Sequence, residues 1–267
     1  MAGLGIGAIE ISSGHAYEEG LPEKLVAFEQ EGRTCLLLHN FAPPVPEQLL
    51  IDLAEPDAAR RQAVVDYLKA CVSLTHRLGA DYFSFHAGYR VPYVFGRKNY
   101  EAAQRQPVEK ALNHFIAGLR PVLAHAVSLG VHLGVENHVV EPGNEENLIL
   151  FDAPGFEALF TAADSPFLHL HLDTGHLNVT AATLGFDKSA FTRRFKDKIL
   201  AAHVHANDGL ADKHEAFDSD FWFLSELSQM VNLRYACLET ATKGDMSKIR
   251  KMAELLLQAP ALSGVRP

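Results

Sequence analysis

No run in this 267-residue chain approaches the roughly 18 apolar residues that a membrane-spanning helix needs, which excludes that class of protein. No basic region precedes an apolar core in the opening MAGLGIGAIE, so no secretory signal is read there. Cysteine is scarce. Cys35, Cys71 and Cys237 are odd in number, far apart and without CxxC spacing, so reduced thiols in a cytoplasmic protein are expected rather than a disulfide framework. Positive charge is also short, with 24 Lys+Arg against 33 Asp+Glu and a net charge of −9. That balance counts against broad phosphate binding and against nucleic acid as a partner. There is no low-complexity block, internal repeat or linker, and one domain over residues 1–267 is expected.

What the chain does have is apolar material, 48% of its residues, and 14 histidines, many of them inside apolar runs. Short apolar runs alternate with stretches of helical periodicity. Strands are expected at 8–11, 34–40, 81–88, 131–138, 168–173, 200–208 and 234–240. Helices are expected at 21–31, 57–79, about 99–129, 154–163, 186–198, 219–230 and about 246–258, with Pro121 setting a kink or break in the third. The Pro-rich FAPPVPEQ at 41–48 reads as loop, and APALSGVRP as a tail. Alternation at this spacing implies parallel βα units in an α/β fold, a (β/α)8-type barrel with seven strands instead of eight. The absent strand is expected to be the first, the chain starting about one βα unit into the fold.

Each of several strands ends on a potential metal ligand. LGVENH carries Glu136, LHLHLDTGH carries Asp173, HVHAND carries His205 and ACLET carries Glu239. Side chains alternate between strand faces, so these four share the inner face at the C-terminal, active end of a barrel. Three carboxylates packed together repel one another unless a cation sits among them. A mixed carboxylate and imidazole set suits Mn²⁺, Zn²⁺, Co²⁺ or Fe²⁺, with Mg²⁺ a poorer match. His39 and His86 end the second and third strands in the same way. His176 lies one helical turn past Asp173, and Asp212 and His214 lie in the loop after the sixth strand. These five are read as contacts to substrate or to further metal. His132, His169, His171 and His203 share the inner face lower down, and are read as supporting core histidines. Tyr89, Arg90, Tyr93, Phe95, Arg97 and Lys98 form an aromatic and basic loop above the third strand.

The motifs LLLHN, FSFHAG, LGVENH, LDTGH, HAND followed by DKH, and LET, taken in this order, resemble the xylose isomerase-like TIM-barrel superfamily. That group contains sugar phosphate isomerases/epimerases and endonuclease IV. The resemblance to ketose 3-epimerases implies one divalent metal held by Glu136, Asp173, His205 and Glu239. It also implies that Glu136 and Glu239 move a proton on opposite faces of a small sugar through an enediolate. The resemblance to endonuclease IV implies instead a zinc-dependent phosphodiesterase, with more than one zinc held by His39, His86, Glu136, Asp173, His176, His205, Asp212, His214 and Glu239. Two departures bear on this choice. DKHE is followed by AFDSDFWF and not by a glycine-rich IGxG stretch, and Gly209–Leu210 stand where the epimerases often carry an arginine. The second is a departure from the epimerases themselves; the acidic balance and the stretch HNFAPP, which looks more like isomerase-like bacterial proteins than like repair enzymes, make the isomerase/epimerase the leading expectation, and a homo-oligomer is compatible with it.

Overall fold

The computed structural model describes residues 7–12, 17–32, 34–40, 49–258 and 262. The Pro-rich stretch 41–48 and most of the C-terminal tail lie outside the described residues. Seven parallel strands form one sheet in strict chain order. They are β1 (Ala8–Ile11), β2 (Cys35–His39), β3 (Tyr82–His86), β4 (His132–Glu136), β5 (Leu168–Asp173), β6 (Ile199–Val204) and β7 (Tyr235–Leu238). Around them pack α1 (Leu21–Gln30), α2 (Ala58–Arg77), α3 (Val108–Leu129), α4 (Ala153–Ala163), α5 (Thr174–Leu184), α6 (Lys188–Phe195), α7 (Trp222–Glu226) and α8 (Met246–Leu257). The result is a nearly closed TIM-type barrel. Among the described residues β1 and β7 do not pair, and a cleft of about 910 Å³ lies along that seam, lined in part by Glu10, Cys35, Tyr235, Cys237 and Leu256.

Alternation along the strands sorts the core into two chemistries. Phe83 and Phe85 of β3, Leu133 and Val135 of β4, Leu170 and Leu172 of β5, and Ala202 and Val204 of β6 pack outward against the helices. Burying large apolar side chains there, at about 1.5–3 kcal/mol each, supplies the stability of the shell. The other face of the same strands is small or polar: Ser84, Gly134, Glu136, His171, Asp173 and His203, all buried. Gly134 is required by a close approach, since a Cβ there would stand 1.9 Å from the Tyr82 hydroxyl oxygen.

Two elements depart from the sequence reading. The third helix begins at Val108, not near 99, because Pro107 occupies its N-cap and residues 102–104 make only a single 3-10 turn. It runs through Pro121 without a break. The helix α5 was not expected at all. It starts immediately after β5, with Asp173 serving both as the last strand residue and as the helix N-cap, its side chain accepting the His176 backbone N–H at 2.6 Å.

Between β2 and α2, Asp52 is buried and its Oδ1 accepts the backbone N–H groups of Ala54 (2.8 Å) and Tyr89 (3.1 Å). Burial pushes its carboxyl up to about 7, against the pull of those two donors. A folded-state value above the ordinary 3.8 means that its stabilising contribution is full below about pH 4 and is lost as pH rises through about 7. Asp52→Asn keeps the acceptor and removes the charge. The variant is expected to gain on the order of 2–4 kcal/mol over the parent at pH 8 and nothing at pH 4. Thermal melting at the two pH values checks this; an equal change at both would show that Asp52 is not the titrating group.

Candidate metal centre and active site

The inner face of the barrel delivers its side chains to one end. The registers pair His86 with Glu136, Glu136 with His171, and Asp173 with His203, so each strand is offset from the last. Glu136, 2% exposed, sits at the centre. Its Oε2 lies 3.1 Å from His39 Nε2 and 3.4 Å from His86 Nε2. Its Oε1 lies 3.4 Å from His176 Nδ1 and 3.5 Å from His203 Nδ1. Despite these distances Oε2 makes no aligned hydrogen bond.

Asp173 is fully buried, and His205 Nε2 lies 3.1 Å from its Oδ2. The backbone of Asp173 is clamped by the Asn137 side chain, which accepts its N–H at 2.8 Å and donates to its carbonyl at 3.1 Å. Glu239, one residue past β7, places Oε2 2.9 Å from His203 Nδ1. Outside this ring a second acidic centre forms. Asp212 Oδ2 lies 3.2 Å from His176 Nε2 and 3.1 Å from His214 Nε2, while Asp212 Oδ1 faces His205 Nε2 at 3.7 Å. The loop bearing Asp212 and His214 is fastened by paired backbone hydrogen bonds between Ala206 and Glu215, and His214 Nδ1 donates to the Glu239 carbonyl at 3.0 Å.

All nine residues singled out from the sequence thus meet at one end of the barrel. The groups whose ligand atoms all lie within 4.8 Å of one another are Glu136, Asp173, His203 and Glu239; His39, His86 and Glu136; and His205, His214 and Glu239. His203 joins the three carboxylates, while His205 meets Asp173 at 3.1 Å and groups with His214 and Glu239. Parity puts both histidines on the inner face, but the offset between β5 and β6 sets His203 level with Asp173, and parity carries no information about that offset. His205 reaches the set through Asp173. Asn137 also went unnoticed; its place next to Glu136 was the one available signal.

The electrostatics follow from packing carboxylates and imidazoles without water. Burial pushes the Glu136 carboxyl up, but His86, His39 and His203 outweigh it and hold the group well below the usual carboxylate range. Burial likewise opposes Glu239, yet His203 brings it down to about 2. Burial disfavours a charged His176, but Asp173, Asp212 and Glu136 raise it well above the usual value. Hydrogen bonding to Asp212, against burial, lifts His214 to about 9. His176 and His214 therefore carry protons that a divalent cation can displace. Glu136 Oε2, Asp212 Oδ1, His203 Nδ1 and His205 Nδ1 are buried without hydrogen-bond partners, and such orphaned atoms in an oxygen and nitrogen donor set fit a bound divalent metal.

The family described as xylose isomerase-like TIM barrel matches residues 1–256. No curated protein matches the chain. Among solved structures, a D-tagatose 3-epimerase-like protein is similar at 17% identity and a TM-score of 0.71, covering 94% of this chain and 90% of its own. An L-ribulose 3-epimerase is similar at 18% identity and a TM-score of 0.67, covering 96% and 84%. The TTHB071 protein from Thermus thermophilus, soaked with ZnCl2, is similar at 21% identity and a TM-score of 0.61, covering 97% and 91%. At these identities the solved structures share the fold. No helix among the described residues is long and apolar enough to cross a membrane.

Proposed function

The chain belongs to the xylose isomerase-like TIM-barrel family, and from that premise we propose that it is a divalent-metal-dependent isomerase/epimerase of a small sugar or sugar phosphate. The observation that carries this reading is the convergence of Glu136, Asp173, His203 and Glu239, with ligand atoms all within 4.8 Å of one another. Glu136, Asp173 and Glu239, joined by His203 or His205, would hold one ion of the Mn²⁺, Zn²⁺ or Co²⁺ type. Such an ion polarises a carbonyl and the hydroxyl beside it.

The chain's own groups do the proton work. Glu136 and Glu239 both approach the Nδ1 of His203, at 3.5 and 2.9 Å, so the two carboxylates meet at one point of the site. Both carboxylates are held deprotonated, the state a general base needs. One takes the proton from the carbon next to the carbonyl, leaving an enediolate. The other, deprotonated at rest, takes a proton from solvent and returns it to the opposite face, which is epimerisation, while the first gives its proton up to solvent; return to the neighbouring carbon is isomerisation. Partly buried His176, held between the Asn137 carbonyl and Asp212, would line one side of the substrate, and His39 and His86 the other. The similarity to sugar 3-epimerase folds supports the same reading.

A specific observation favours a second reading. His39 and His86 form a separate group with Glu136, and Asp212 gathers His176 and His214. Those are enough donors for more than one zinc, as a phosphodiesterase resembling endonuclease IV requires. Metal counting together with solvent deuterium exchange separates the two. The isomerase/epimerase is expected to exchange a carbon-bound proton of ketoses with solvent and to stop when a chelator removes its metal. Absence of exchange across ketoses and ketose phosphates, with hydrolysis of abasic-site phosphodiesters by the zinc-loaded protein, would replace the first reading by the second.

A further inference from the structure

Beneath the ring of ligands at the barrel mouth is a second cluster, which joins two residues of the mouth, His39 and His203, to two that the reaction does not use, Glu10 and His171. Glu10 of β1, His39 of β2, His171 of β5 and His203 of β6 each offer a ligand atom, all within 4.8 Å of one another. The imidazoles are in contact, with ring centroids 4.1 Å apart for His171 and His203 and 4.7 Å for His39 and His203. His39, His171 and His203 are each 1% exposed, and the Glu10 side chain is 6% exposed. Barrel interiors are ordinarily filled with branched aliphatic side chains, so three imidazoles and a carboxylate at this depth need a reason.

The orientation of the rings supplies one. His171 Nδ1 is engaged by the Tyr82 hydroxyl at 2.8 Å, and His39 Nδ1 by Ser84 Oγ at 2.9 Å. His171 Nε2 has no partner at all. One ring nitrogen tied to a hydroxyl while the other stands open inside a buried cluster is how metal-ligating histidines are held in orientation. Glu10 Oε1 sits 2.6 Å from His203 Nε2, supplying one negative charge to the set.

We propose that Glu10, His39, His171 and His203 bind a divalent transition-metal ion inside the barrel, separate from the mouth site. Three imidazoles and one carboxylate suit tetrahedral Zn²⁺ or Co²⁺. With bonds of about 2.0–2.1 Å, tetrahedral ligands stand about 3.3 Å apart, so a pair at the 4.8 Å limit of the cluster would close by about 1.5 Å on binding. The ion ties β1 to β6 across the seam where β1 and β7 do not pair. It also shares His39, for which the two positions compete, with the mouth group of His86 and Glu136, and His203 with the group of Glu136, Asp173 and Glu239, which that ring faces through Nδ1 while Nε2 faces Glu10.

The test is zinc-edge anomalous scattering from crystals of the full chain soaked in zinc chloride, with zinc counting on the wild type and on His171→Phe, Glu10→Gln and Asp173→Asn. The wild type is expected to show a peak surrounded by the four side chains, and Asp173→Asn to keep that peak. His171→Phe and Glu10→Gln are each expected to hold one zinc equivalent fewer. Glu10→Gln preserves shape, so the count remains readable if the phenylalanine variant does not fold. Metal at the mouth with no peak between the four residues overturns the proposal. So do a wild-type zinc count in both variants and a wild-type chain that binds no zinc.

Discussion

Glu136→Gln is expected to abolish exchange of the sugar proton, lowering turnover by about 10³-fold or more while the barrel remains folded. Removing one positioned acid/base group alone costs about 10²–10⁴-fold. Glu136 is also the residue on which the mouth is built, with His39, His86, His176 and His203 all within 3.5 Å of its two oxygens. Glutamine keeps the volume but offers a single neutral oxygen to a set whose other members carry protons or await a cation. Metal content is therefore expected to fall together with turnover. Deuterium incorporation followed by NMR, elemental analysis and far-UV circular dichroism on the same preparation check the three parts. A variant that retains its metal and exchanges at the parental rate would remove Glu136 from the chemistry.

Gly175→Ala gives the second large effect, and its sign runs against helix propensity. Gly175 lies in the first turn of α5, where alanine in place of glycine ordinarily stabilises by about 1 kcal/mol. Here a Cβ would stand 1.9 Å from His205 Cε1, 2.4 Å from Nδ1 and 2.6 Å from Nε2. His205 is fully buried, and its backbone N–H and carbonyl are both held by the Thr174 hydroxyl, so the ring cannot step aside freely. Overpacking of this kind costs typically about 1–3 kcal/mol. The alanine variant is expected to melt lower than the parent and to bind metal at least ten-fold more weakly, since the displaced ring is a partner of Asp173. Thermal melting and a metal titration decide it. An alanine variant that melts higher with unchanged affinity would mean that His205 is free to move and is not a ligand.

Much of this architecture is legible in the chain because a buried parallel strand is a short apolar run, and seven such runs alternate with helical periodicity. The strand-end residues follow from period-two alternation, which is why Glu136, Asp173 and Glu239 could be assigned to one face together. What alternation cannot supply is height. His203 and His205 share a face, and only the offset between β5 and β6 makes His203 the neighbour of all three carboxylates. Helix α5 stayed hidden for a different reason. Strand and helix share Asp173, so no loop residues mark the change from one to the other. The start of α3 was overrun because helical periodicity continues past the Pro107 cap. Asp52 gave no signal, since nothing in the sequence tells a buried loop aspartate from an exposed one.

The order of the strands bears on how the molecule is made. Each strand pairs with the one synthesised just before it, so the sheet can grow in step with the emerging chain. One buried contact cannot form that way. Glu10 and His203 are 193 residues apart, and their meeting waits until β6 has left the ribosome. Until then the interior carboxylate of β1 remains accessible to water. Burial of Glu10 against His203 is thus a late event in assembly, and it reports that the opening strand and the sixth have come together around a common interior.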